Sequence, residues 1–219
     1  ETRKSGRRMI LDKREIDALP RRHRAALINS LPGYKPVVLV GTADTKGHTN
    51  LSAINACFHI GAAPALLGMI IRPAPEGTER HTLENILDTG WYTFNALTPE
   101  MTQRGHHTSA RFPREQSEFE ACGFEPSWQM PIKAPFVAES PLQIGLKLAE
   151  HQPLAINGTH LIIGGVESVQ FSDDALRDDG SVDLHTLGLV AAVGLDAYHE
   201  VAPGQRYAYA KPDRPPELL

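Results

Sequence analysis

Only two cysteines, Cys57 and Cys122, occur in 219 residues. That is too few for a disulfide framework, and each sits in an apolar or helical setting that suits a reduced, packed thiol. A cytoplasmic location is the expectation. Long apolar runs are missing as well: the longest, Ala62 to Ile71, is interrupted by Pro64 and Gly68 and falls short of the roughly 20 residues a bilayer demands. Positive charge is not in excess either, since 22 Lys and Arg against 26 Asp and Glu leave a formal charge of −4. Neither a membrane nor nucleic acid is therefore expected as a partner. The charged opening, Glu1 to Arg8, leads into no signal-type apolar core, so secretion is not expected.

Familiar chemical motifs are missing too. There is no Gly-x-Ser-x-Gly, no Gly-x-x-x-x-Gly-Lys loop and no Gly-x-Gly-x-x-Gly, which removes the common nucleophile and phosphate-loop signatures. No catalytic side chain is nominated. The ten histidines are mostly dispersed. The adjacent pair His106 and His107 would point about 100° apart on a helix, and no His-x-x-x-His or Cys-x-x-Cys accompanies it. No metal site is expected.

What is present is the composition of a globular, strand-rich protein. Hydrophobic residues at 41% and charged residues at 22% supply a core, while 18 Gly and 17 Pro supply many turns. The alternating strand–helix order of a doubly wound sheet is missing. Short antiparallel strands with a few interrupting helices predict a mainly β, α+β fold, a small barrel. The organisation expected is an N-terminal helical extension (1–33), a barrel domain (34–197) and an extended C-terminal arm (198–219).

Met9 to Leu31 has helical spacing and stops at Leu31-Pro32-Gly33. Val37 to Thr42 reads as a buried strand. Asp44-Thr45-Lys46-Gly47-His48 supplies a turn, and Asn50 to Phe58 resumes extended structure to complete a hairpin. Small residues (Ser52, Ala53, Ala56) crowd that second strand. They leave room for a flat ligand, or they simply permit close sheet packing. Ala65 to Arg72 reads as a third strand. Thr82 is expected to cap a short helix that Gly90 closes, followed by a strand from Trp91 to Ala96. Arg80, His81 and Thr82 bring a guanidinium, a hydroxyl and free N–H groups to that helix start, which suits an anion, a phosphate above all. Ser117-Glu118-Phe119-Glu120 forms a capping-box pattern. Leu142 to Leu148 alternates as a strand, and the long strand His160 to Phe171 carries a glycine pair that suggests a bulge. A short helix is expected over Val182 to Leu189.

Taken in series, Asn50-Leu51-Ser52-Ala53-Ile54-Asn55, the strand ending at Arg72, Arg80-His81-Thr82-Leu83-Glu84-Asn85-Ile86, Trp91-Tyr92-Thr93-Phe94-Asn95 and Thr108-Ser109-Ala110-Arg111-Phe112-Pro113 resemble the flavin reductase-like FMN-binding split-barrel family, over roughly Pro36 to Phe171. The resemblance implies an antiparallel, Greek-key split β-barrel with short peripheral helices, forming a homodimer with FMN at the interface. It also implies flavin reduction by NADH or NADPH, electron transfer to a partner, or service to an oxygenase. A flavin-binding electron carrier without nicotinamide oxidation is the alternative. By position, Asn50, Ser52, Ala53, Ile54 and Asn55 would line the ring and ribityl chain, with backbone N–H groups meeting the ring. Arg72, Arg80, His81 and Thr82 would hold the phosphate with Asn85 nearby, and His107, Thr108 and Ser109 would complete the pocket. The chain departs from the family's usual pattern at Ala53, Asn55 and Arg80-His81. A histidine in that last pair makes the local charge depend on pH.

Overall fold

A computed structural model describes residues 8–219; apart from Arg8, the reading of the opening segment lies outside the described residues. The helical pattern before Leu31 is two helices, α1 (Lys13–Ala18) and α2 (Arg21–Ser30). Pro20 separates them: Leu19, just before it, is extended (ψ 141°), the conformation a following proline imposes.

Twelve strands follow. They are β1 (Lys35–Pro36), β2 (Val38–Ala43), β3 (Thr49–Ile54), β4 (Cys57–Ala62), β5 (Ala65–Ile71) and β6 (Trp91–Ala96). After them come β7 (Pro126–Ser127), β8 (Phe136–Val137), β9 (Leu142–Leu154), β10 (Thr159–Phe171), β11 (Val190–Val193) and β12 (Ala197–Glu200). Three short α-helices interrupt them: α3 (His81–Thr89), α4 (Thr102–His107) and α5 (Glu118–Ala121).

The main sheet runs β3-β2-β6-β9-β10-β5-β4, with antiparallel pairing throughout. Its topology forces curvature. β3 and β4 stand at opposite edges of the sheet, yet only Asn55 and Ala56 separate them in the chain. Six inter-strand spacings on a flat sheet would part them by roughly 29 Å, whereas three Cα steps reach about 11 Å. The sheet therefore curls until its edges approach, giving a barrel with a seam between β3 and β4. The extended run expected from Asn50 to Phe58 is thus two strands, one on either side of that seam.

Fully buried Val40, Tyr92, Leu146, Ile162 and Met69, one from each of five neighbouring strands, fill the barrel. Leu39, Leu51, Leu97, Met101, Phe119 and Val137 form a second core on the outer side of β2 and β3, joined by Val190 and Ala192 of β11. Burial on both faces is why Val37 to Val40 reads as an uninterrupted apolar run. The glycine pair of β10 coincides with register shifts against β9. A Cβ on Gly164 would overlap the Tyr92 hydroxyl.

Gly90 ends α3 at φ 74°, as its position suggested. The short helix expected over Val182 to Leu189 is instead a series of turns. There the Asp183 side chain accepts from the His185 and Thr186 backbone N–H groups, the local bonding that competes with helix. The β11–β12 hairpin after it was not anticipated. It joins β1 in a three-stranded sheet of order β1-β11-β12.

Candidate functional site

The seam edge of β3, the start of α3 and the end of β5 converge around two sets of polar groups. The first is neutral and buried. Thr42 Oγ1 accepts from Asn50 Nδ2 at 3.3 Å and from Asn85 Nδ2 at 3.1 Å. Asn50 Nδ2 also donates to Thr82 Oγ1 at 2.9 Å. All four side chains are less than 9% exposed, and each bond contributes about 1 kcal/mol net. This network pins α3 onto β2 and β3. Thr82 is therefore an anchor and not the helix cap. Arg80 occupies the cap position, and its backbone N–H donates to Glu84 Oε1 at 2.9 Å.

The edge of β3 is supported from the other side. Ala53 N–H donates to Thr108 Oγ1 at 2.9 Å, and Thr108 in turn donates to the Gly105 carbonyl at 2.7 Å. Leu51 N–H donates to Glu118 Oε2 at 3.0 Å, and Thr49 Oγ1 lies 2.6 Å from Ser117 Oγ. The Ala53 N–H, which sequence reasoning offered to a ligand, is thus already taken by Thr108, and the neighbouring Leu51 N–H by Glu118. Burial raises the Glu118 carboxyl above its ordinary 4.5, and the Leu51 N–H and the His81 charge only partly offset it.

The second set is charged and carries no acid. Arg80 is half-buried, and its Nε is buried without a hydrogen-bond partner. Burial, then the like charges of Arg111 and Arg72, lower its pKa. Arg72, just past β5, donates to Asn29 Oδ1 of α2 at 2.9 Å. Among the described residues none of Arg72, Arg80 and Arg111 has a carboxylate within ion-pair distance. Arg114 contrasts with them: it pairs with Glu79 and Glu84 and donates to Asn85 Oδ1 at 3.2 Å. His81 Nε2 lies 3.1 Å from Glu79 Oε2.

The remaining nominated residues are placed as follows. Ser52 and Ile54 are half-buried on β3. Asn55 sits at the seam, its Nδ2 donating to the Gly194 carbonyl at 2.8 Å. His107 ends α4 with its ring against Phe112 at 5.4 Å, and Ser109 is exposed beyond it. Thr42, Arg111, Arg114 and Glu118 were not nominated. Nothing local marks Thr42 or Glu118, while Arg111 stood in a basic run that could have been followed further.

A flavin nucleotide offers a flat ring and an anionic tail, and both have a counterpart here. The unneutralised arginines, one with an orphaned buried N–H, suit the tail. Small side chains along β3 leave the ring an open ribbon. Among the described residues no cluster of three or more metal-ligating side chains occurs. Nor, among the described residues, is any helix long and apolar enough to cross a membrane.

Comparison with known proteins agrees with this architecture. The model of the flavin reductase like domain matches residues 34–188. A Shewanella frigidimarina protein, provisionally named a flavin reductase with split barrel domain, is 46% identical, covering 92% of this chain and 100% of its own, with TM-score 0.88. Component B of nitrilotriacetate monooxygenase from Bacillus cereus has the same fold at 18% identity (TM-score 0.79, covering 91% and 98%). So does flavoredoxin of Desulfovibrio vulgaris at 23% identity (TM-score 0.67, covering 82% and 91%). The split barrel with its seam-side site, and a family match over most of its length, make this chain a member of the flavin reductase-like domain family, with a role in flavin-linked oxidoreduction.

Proposed function

We propose that the protein is an FMN-binding NAD(P)H:flavin oxidoreductase. The observation that carries the reading is the buried, partnerless Nε of Arg80 at the start of α3, beside the charges of Arg72 and Arg111, with no carboxylate paired to any of the three guanidinium groups among the described residues. Arg80 and Arg72 would hold the flavin phosphate with the first-turn N–H groups of His81 and Thr82, which have no partner within a helix. Thr82, Asn85 and Asn50 fix the helix that presents these groups. Ser52, Ala53, Ile54 and Asn55 would face the ring and ribityl chain. Thr108 keeps that ribbon straight through Ala53, while His107 and Ser109 border it.

When bound, the flavin supplies the redox chemistry itself, accepting a hydride from a reduced nicotinamide. The chain's task is orientation and charge. No side-chain nucleophile or acid is needed for that transfer. A homodimer with flavin at its interface would cover the half-buried ribbon of β3, and a cytoplasmic setting suits the buried, reduced thiols of Cys57 and Cys122. Delivery of reduced flavin to an oxygenase is the role suggested by the likeness to a monooxygenase component B.

Absorbance of the protein after incubation with FMN and gel filtration tests binding. Anaerobic oxidation of NADH or NADPH in the presence of FMN tests activity. Turnover is the expected result. Flavin retained without nicotinamide oxidation would instead make the protein an electron carrier, and no flavin retained would remove both roles.

A further inference from the structure

The row of unneutralised cations continues past the phosphate site. Arg72 donates to Asn29 Oδ1 at 2.9 Å, and Lys35 Nζ donates to the Asn29 carbonyl at 3.2 Å and to the Gly194 carbonyl at 3.3 Å. One residue of α2, outside the family-matched region, thus holds two cations side by side. Lys35 likewise has no carboxylate within ion-pair distance among the described residues. Burial and the charge of Arg72 lower its pKa. A chain of net charge −4 therefore gathers Lys35, Arg72, Arg80 and Arg111 with no carboxylate paired to any of them.

A phosphomonoester carries about −1.5 to −2 at neutral pH and satisfies about half of that charge. Donors remain as well. Lys35 uses two of its three N–H groups on protein carbonyls, and Arg72 uses one of its five on Asn29. Lys35 also borders an open cavity of about 520 Å³, within the size range of small-ligand sites. Its walls include Val38, Leu67, Phe94 and Ile144. Tyr34 and Phe58 line it and are exposed, offering aromatic faces at its rim. The occupant that fits is an aromatic base attached to a phosphate.

We propose that Lys35, joined through Asn29 to the Arg72 of the flavin-phosphate site, is the centre of a second anion subsite that takes the adenosine phosphate part of a dinucleotide, with the adenine in the adjoining cavity. The inference rests on the flavin-phosphate reading at Arg80. Two dinucleotides present this chemistry: FAD, through its pyrophosphate, and NADPH, through its 2′-phosphate.

Calorimetric titration of the full chain with FMN, FAD, ADP, 2′,5′-ADP and adenosine tests it, repeated on Lys35→Met. The substitution is expected to weaken at least one adenosine phosphate by about tenfold while FMN stays within about twofold. Loss confined to FAD and ADP identifies the pyrophosphate. Loss confined to 2′,5′-ADP, with a matching rise in KM for NADPH but not NADH, identifies the 2′-phosphate. Equal binding of adenosine and its phosphates, or unchanged affinities in Lys35→Met, overturns the subsite. Failure of FMN to bind the wild type strikes the primary reading instead, since ADP binding reports on this subsite separately. Should Lys35→Met fail to fold by circular dichroism, Lys35→Gln keeps a donor toward the Asn29 and Gly194 carbonyls but removes the charge, and is expected to cause the same selective loss; unchanged affinities there also overturn the subsite.

Discussion

Two polar regions meet at the start of α3 and differ in one respect. The network of Thr42, Asn50, Thr82 and Asn85 is buried, neutral and internally hydrogen-bonded. The neighbouring rim of Lys35, Arg72, Arg80 and Arg111 is charged, lacks acids and leaves the Arg80 Nε unpaired. Folding alone explains the first, because buried polar groups must find partners. It does not explain the second, which raises the energy of the empty protein through burial of charge and mutual repulsion. The first region is a brace, and the second is the proposed receptor. Substitutions should therefore separate stability from affinity.

The largest effect is expected from Arg80→Met. It removes a charge-assisted contact to the flavin phosphate, and FMN affinity should fall about 10²-fold, or about 3 kcal/mol. Riboflavin affinity and the urea midpoint should hardly move; a fall in stability with unchanged FMN affinity would make Arg80 part of the brace.

Asn50→Ala is expected to do the opposite. It removes the donor to Thr82 and one of the two donors to Thr42 and should cost about 2 kcal/mol in urea unfolding, with FMN affinity reduced only through looser seating of α3.

The smallest effect concerns Glu118, which braces β3. Its folded-state pKa is raised by burial, so its contribution is fully present below the unfolded value of 4.5 and is lost as pH climbs through the raised value. Wild-type urea midpoints should fall relative to Glu118→Gln as the pH rises above 4.5. Parallel curves would show that the carboxyl is not perturbed.

The same contrast explains how much was legible in advance. β2, β6 and β9 announced themselves because alternation and apolar runs record local burial, and Gly90 announced the end of α3. The resemblance led directly to the arginine-bearing helix start. The seam between β3 and β4 was hidden, because Asn55 and Ala56 carry no turn signature and only the strand order reveals the break. β11 and β12 escaped notice because four-residue strands leave little pattern. Thr82 looked like a cap since Thr is common there, whereas its role depends on Asn50, 32 positions away. The Asn29 bridge lies 43 positions from Arg72. Such contacts are tertiary and leave no local trace.

The most direct test of the receptor assignment is the ratio of FMN to riboflavin affinity, read by quenching of flavin fluorescence, in the wild type and in Arg80→Met. The account predicts that FMN binds the wild type more than about tenfold tighter than riboflavin and that the substitution erases most of this preference. Equal affinities in the wild type, or a preference that survives loss of the guanidinium, would contradict it.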